Sequence, residues 1–408
     1  MIDRFSAIDA AARDRFGAAP VWRFFVPGRL EVFGKHTDYA GGRALVAAVP
    51  RGFAVAALPG DGRRVVVFDT ASGERGVCDA AAAARGARGW LRYVVTVVRR
   101  LAANFPGAEL SARIVFTSDL PRAAGISSSS ALVIAMSEAL IARADLEAHP
   151  LWRSAIRRPE DRAAYFGCIE NGASFGPLAG DEGVGTHGGS EDHAAILLSR
   201  AGFLQACSFS PLRVDRRVPM PAGWTFVVAT SGVHASKTGG AQADYNRLAA
   251  EIAGLRSAWR VQHPGDGRTL GELARTGDLG SLDAPPALAA RLRQFVAEDA
   301  RVPEAADALE RGDVARVGDL AAQSQRDAEQ GLRNQIPETI GLVSIARTLG
   351  AAAASAFGAG WGGSVWALVP QPDAEDFRDR WMMAYRARYH QRDALAFVAP
   401  PGDGVRRQ

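Results

Sequence analysis

Lysine is almost missing from this chain: of 48 basic residues in 408, only Lys35 and Lys237 are lysines and the rest are arginine. Arginine and alanine bias makes either lysine stand out as a candidate for a chemical role. Cysteine is scarce too, and Cys78, Cys168 and Cys207 are far apart and odd in number, which fits neither a disulfide framework nor a zinc pattern. A reducing, cytoplasmic setting is expected. No uncharged apolar run approaches the roughly 20 residues of a membrane helix, and Met1 to Arg15 mixes Asp and Arg with apolar residues. Neither a secretion signal nor a membrane partner is expected. No sign of charge dominates, since 44 acidic residues leave a net +4 that is spread thinly, so nucleic acid is not an expected partner. What is present, 48% hydrophobic and 23% charged residues, is enough to offset the ordering entropy of a globular chain. The length suits two domains.

Apolar spacing predicts a helix over residues 1–16 and a strand over Val21–Val26 that runs into a turn at Pro27-Gly28. Strands are predicted over 44–58, 64–69 and 112–117, and a helix over 90–105 ahead of the breaker Pro106-Gly107. A serine-rich turn then leads into an apolar helix over 131–144, so this stretch reads strand, loop, helix. Seven glycines between 171 and 190 predict a long loop, and loops of that length are usually functional or disordered. Further on, strands are expected over 204–215 and 224–230, helices over 241–261 and 287–300, and a surface excursion over 263–286. A second α+β domain is expected to begin near residue 205.

Four constellations carry chemical potential. The run from Pro27 to Gly42 packs Arg29, Glu31, Lys35, His36, Thr37, Asp38 and Tyr39 between glycines. That density of donors and acceptors suits a polyol, although a polar turn between strands has the same look. The run Pro121-Arg122-Ala123-Ala124-Gly125-Ile126-Ser127-Ser128-Ser129-Ser130 sits between a strand and a helix. Small residues there let backbone N–H groups approach a phosphate at the positive end of the helix, and the hydroxyls add phosphate or magnesium contacts. The Walker pattern is absent, so a P-loop NTPase is not the reading. Gly358-Ala359-Gly360-Trp361-Gly362-Gly363 formally matches G-x-G-x-x-G, but an alanine-rich stretch precedes it and strand-like Ser364–Pro370 follows. That is the wrong context for a dinucleotide fold, so a close backbone approach is the better reading. Finally, Gly189-Ser190-Glu191-Asp192-His193 closes the glycine loop. His187 and His193 lack the spacing of a helical zinc pair, and Asp192 is either a base or a helix cap.

Taken in order, the first three runs resemble the GHMP small-molecule kinases, and the first is similar to the galactokinase pattern G-R-V-N-L-I-G-E-H-T-D-Y-N-G-G. Trp90 to Val94, Ser231-Gly232-Val233 and Tyr245-Asn246 also resemble stretches of that branch, so the likeness spans roughly residues 20 to 370. It implies an α+β, two-domain GHMP kinase fold, with a ribosomal protein S5 domain 2-like N-terminal domain over 1–204 and a ferredoxin-like C-terminal domain over 205–408. The active site would lie in the cleft. ATP and Mg2+ are the implied cofactors and a small-molecule sugar the partner, in a monomer or dimer. The implied reaction moves the γ-phosphoryl group to a sugar hydroxyl, the anomeric one in galactokinases.

Carried over by position, Arg29 and Asp192 would be catalytic, and Lys35, His36, Asp38 and Tyr245 would bind the sugar. Gly125 with Ser127, Ser128, Ser129 and Ser130 would cradle phosphates, and Ser129 with Glu170 would hold the metal. The chain departs from the branch at four places. Lys35 replaces a glutamate, Glu31 an asparagine, G-I-M-D-Q becomes Gly189 to His193, and the loop ahead of Asp192 is longer. A lysine in place of a hydrogen-bond-accepting glutamate would favour an acidic or otherwise modified sugar, unless it turns away to pair with Asp38 or Glu31. A catalytically weak sugar- and ATP-sensing protein is the alternative reading.

Overall fold

The computed structural model describes residues 4–79, 86–121, 124–233 and 240–408. Helix α1 (Arg4–Phe16) precedes strands β1 (Trp22–Phe33), β2 (Arg43–Pro59), β3 (Arg64–Asp69) and β4 (Arg75–Asp79). Helix α2 (Leu91–Asn104), strand β5 (Ala112–Ser118) and helices α3 (Ser128–Arg143), α4 (Pro150–Ala155), α5 (Pro159–Asn171) and α6 (Glu191–Leu198) follow. Strands β6 (Phe203–Ser208), β7 (Arg213–Pro219) and β8 (Trp224–Thr230) lead to helices α7 (Gly240–Gln262), α8 (Leu270–Thr276), α9 (Ala289–Glu310), α10 (Val314–Asp327) and α11 (Pro337–Thr348). The chain ends with β9 (Ala353–Phe357), β10 (Ser364–Pro370), α12 (Ala374–Arg388), β11 (Ala396–Val398) and β12 (Arg406–Arg407).

Two sheets organise these elements. The larger runs β12-β1-β2-β5-β3-β4, with β6 joined to β2 and β7 to β6; the smaller is β11-β8-β10-β9. Helices α2 and α3 cover one face of the large sheet through Val94, Val98, Leu101, Leu132, Met136 and Leu140, all buried in one core with Val26, Val32 and Val55. The small sheet carries its own core, in which Trp381 and Tyr385 of α12 meet Val227, Val365 and Leu342. Trp366 and Phe226 of the small sheet belong to the first core, so the two layers share apolar contact.

Three expectations change. Pro27-Gly28 is no turn: β1 continues through it, with Pro27 opposite Gly52 and Arg29 opposite Ala48, so the register shift there puts the extra residues on β2. The expected boundary at 204/205 falls inside β6, whose residues 205–208 pair with Arg43 to Val46 of β2. The supposed surface excursion 263–286 holds α8 and buries Leu270, Leu273, Leu279 and Leu282 against Leu255, Trp259 and Phe295.

Candidate active site

One cleft collects residues from seven parts of the chain: Arg29 and Glu31 from β1, the 36–39 turn, Ser130 of α3, Glu170 and Asn171 of α5, the 186–193 segment, Tyr245 of α7 and the 358–359 turn. Strand β1 lends rigidity, since its residues from Phe24 to Phe33 are buried. Arg29 therefore projects from a fixed rod. Its Nε donates to Asp192 Oδ1 at 2.6 Å and its Nη1 to the Gly125 carbonyl at 2.6 Å. Burial alone would lower its pKa, but Asp192, Glu31 and Glu191 reverse that and raise it, so the guanidinium stays charged. Asp192 lies in the first turn of α6, where the helix dipole favours a carboxylate. Its second oxygen accepts from Ser130 Oγ at 3.1 Å.

The turn between β1 and β2 presents the polar side. His36 adopts φ +59, a conformation a non-glycine residue holds only when its surroundings enforce it. They do: the His36 carbonyl accepts from Arg291 Nη2 at 2.7 Å, and its ring lies 3.1 Å from Tyr39 Oη and 3.2 Å from the Ala359 carbonyl. The Tyr245 ring sits 5.7 Å from that of His36. Burial, then Asp38, pushes the Tyr245 phenol well above its ordinary pKa, so it remains a hydrogen-bond donor. Asp38 Oδ2 accepts from the Glu191 N–H at 3.2 Å, and a Cβ at Gly189 would come within 2.3 Å of that oxygen. Only glycine permits this approach.

The serine loop reaches the same cleft at the start of α3. Ser127 is left-handed at φ +56 with a buried hydroxyl, and Ser128 and Ser129 are half-buried in the first helical turn. Of the four, Ser130 lines the cleft. The glycine turn packs directly on the loop: a Cβ at Gly358 would lie 2.9 Å from the Gly125 carbonyl, and Ser364 Oγ hydrogen-bonds the Ala124 carbonyl. This is the close backbone approach expected of it. Glu170 faces the cleft with its Oε2 3.1 Å from His193 Nε2. Arg122 and Lys237 lie outside the described residues.

Lys35 corrects the sequence reading. Its ammonium is buried away from the cleft, donating to Ser324 Oγ at 2.7 Å and standing 3.9 Å from Glu298 Oε1. Its partner is neither Asp38 nor Glu31, because β1 and the turn direct the side chain toward α9 and α10. Sequence reasoning placed Tyr39, Thr186 and Gly188 in polar or glycine-rich runs without giving them a role, and did not single out Asn171; all four line the cleft. Glu31 and Glu191 do have a signal: both are departures from the galactokinase pattern.

This arrangement, a buried arginine–aspartate pair beside a helix N-terminus and facing a polar turn, belongs to the GHMP class of small-molecule kinases. Residues 92–157 match the GHMP kinases N terminal domain and 305–385 the GHMP kinases C terminal model, while 13–59 match the galactokinase galactose-binding signature. Among curated relatives, a galactokinase of Chloroflexus aggregans is 30% identical over 98% of this chain and 97% of its own, and one of Roseiflexus is 29% identical over 97% and 95%. The crystal structure of Lactococcus lactis galactokinase complexed with galactose superposes with a TM-score of 0.82 at 22% identity, covering 98% of this chain and 99% of that one. Methanococcus jannaschii mevalonate kinase shares the fold more distantly, with a TM-score of 0.61 at 14% identity over 93% and 98%. The chain belongs to the galactokinase branch of the GHMP kinases. It is an ATP-dependent sugar 1-kinase, and the sensing alternative has no support. No described helix is long and apolar enough to cross a membrane.

Proposed function

We propose that this kinase phosphorylates the anomeric hydroxyl of galactose or a neutral relative, with Arg29 and Asp192 as the reacting pair. The carrying observation is the Arg29–Asp192–Ser130 assembly at the opening of α3, in the same cleft as His36, Asp38 and Tyr245. Asp192 would orient the hydroxyl and accept its proton. Arg29, held by Asp192 and the Gly125 carbonyl, would stabilise charge on the transferring phosphoryl, and His36, Asp38 and Tyr245 would bind the remaining sugar hydroxyls. Gly125 and Ser127 to Ser130 would face the phosphates with backbone N–H groups and hydroxyls. Phosphoryl transfer asks mainly for such positioning and charge neutralisation.

Magnesium fits the donors available. Mg2+ usually takes one or two carboxylates plus phosphate oxygens; Glu170 lines the cleft and would supply the carboxylate, and Ser129, in the first turn of α3 next to the cleft-lining Ser130, would supply the hydroxyl. The ion would neutralise charge on the phosphates. Unpaired Cys78, Cys168 and Cys207, two of them buried, support a reducing cytoplasmic setting.

An acidic sugar no longer follows. Among the described residues, Glu31, Asp38, Glu170, Glu191 and Asp192 line the cleft beside one guanidinium, that of Arg29, and the Lys35 ammonium that would have attracted a carboxylate is elsewhere. In a panel of monosaccharides with coupled ADP release, galactose should give the highest kcat/KM and galacturonate the lowest; the reverse order would overturn the substrate reading. Asp192→Asn should lower kcat by about 10²–10⁴-fold, the usual range for general-base assistance, while sugar binding measured by calorimetry survives. Turnover within a fewfold of wild type would remove Asp192 from its role.

A further inference from the structure

Three carboxylates surround one guanidinium. Besides the hydrogen bond to Asp192, Arg29 Nε lies 3.7 Å from Glu191 Oε1 and Arg29 Nη2 lies 3.7 Å from Glu31 Oε2. Glu31 Oε2 also accepts the Gly358 N–H at 3.0 Å. The remaining Glu31 oxygen, Oε1, and Glu191 Oε1 are both buried and make no hydrogen bond among the described residues. Both side chains line the cleft. Three ionised carboxylates on one arginine would leave the site with a net charge of −2 where a triphosphate must enter.

We propose that Glu31 and Glu191 hold one proton between them, resident on Glu191, and that this neutral acid positions Arg29 on Asp192 for the donor's phosphates. The surroundings decide which carboxyl keeps the proton. Glu31 is favoured as the anion by Arg29, by Lys35 behind the strand and by the Gly358 N–H, although burial raises its pKa somewhat. Glu191 has Arg29 and the opening turn of α6 in its favour, but three carboxylates face it. Burial and then Glu31 push its pKa well up, with Asp38 and Asp192 adding to the effect. The same cleft also holds the titratable groups of His36, Tyr39, Glu170, His193 and Tyr245, and the Cys207 thiol of β6 feels the Glu191 charge. Ionising Glu191 places a third anion beside Arg29, competes with Asp192 for it and repels the nucleotide.

The nucleotide arm of the test rests on the kinase reading above. With purified protein at saturating galactose, the KM for ATP should rise on the alkaline side, by at most about tenfold per pH unit for one ionisation. Glu191→Gln should abolish that limb, although His193, Glu170 and Cys207 remain. Glu31→Gln should move it to lower pH, because it removes the repulsion that keeps Glu191 protonated. Superimposable wild-type and Glu191→Gln profiles would overturn the proposal. So would an unmoved limb in Glu31→Gln. A second arm needs no turnover. Stability that depends on a protonated Glu191 is present below the ordinary glutamate range and lost as pH rises through the raised pKa. The melting temperature of wild type should therefore fall relative to Glu191→Gln as pH rises, and a pH-independent difference would refute the shared proton. Lack of sugar-dependent ADP release at every pH would instead refute the kinase reading and leave the thermal arm standing. Should Glu191→Gln fail to fold, Glu31→Gln against wild type carries the thermal test: the wild-type loss should move to lower pH.

Discussion

Lys35 shows how one side chain can be chemically conspicuous and yet serve the fold. Its stem and ammonium are fully buried, and Glu298, which also receives the Gly34 and Lys35 N–H groups at 3.0 and 3.2 Å, lies behind it. Burial works against the Glu298 carboxylate, but Lys35 and Arg301 overcome this and hold its pKa below the usual glutamate range. Removing Lys35 leaves Glu298 buried with Arg301 as its remaining cation. Lys35→Met should therefore cost less in urea melts than the about 3–5 kcal/mol of a fully broken buried pair, and should also raise the Glu298 pKa toward the ordinary range. The scarcity of lysine marked this residue as a candidate for a chemical role, and the structure gives it a place in the interior instead. What the scarcity did not carry was direction, because residue type says nothing of which way a side chain leaves the backbone.

Among the elements, the long glycine loop and the two turns it meets do most to build the site. Gly189 lets Asp38 approach the start of α6, so Gly189→Ala should push the Asp38 carboxylate aside. Its expected signature is a raised sugar KM with the KM for ATP changed little, checked by varying each substrate in turn. The strand–loop–helix order around the serines was legible, because small residues followed by an apolar helical period have few other readings. The same was true of the glycine turn ahead of Ser364. By contrast, the Pro27-Gly28 pair looked like a turn because proline lacks a donor, and only the irregular pairing with β2, which carries the extra residues opposite it, reconciles it with a strand. The excursion over 263–286 misled in the opposite sense: its Pro, Gly and Asp residues obscured four leucines that find a shared core.

Over the whole molecule, the last residues of the chain return to the first sheet. Arg406 and Arg407 pair with Phe25 and Phe24, Val405 donates to the Ile196 carbonyl and Gly402 to that of Ala48. Deleting residues 402–408 should expose the edge of β1 and loosen α6, lowering the melting temperature and promoting association visible by light scattering. Acid should act separately: the depressed Glu298 pKa gives stability that is present above the ordinary glutamate range and lost as pH falls through the lowered value. A Glu298→Gln variant should lose that acid-side dependence in a series of melts. The amino-acid sequence by itself determined much of the order of strands and helices and the serine loop that opens α3, because period and turn chemistry are local properties; Arg29 and Asp192, 163 positions apart, were brought together by the family resemblance. Only the tertiary structure decided that Lys35 serves the interior, that β6 belongs to the first sheet, and that Glu31 and Glu191 meet at one guanidinium. Burial and charge neighbourhood arise when distant segments pack, and no local pattern encodes them.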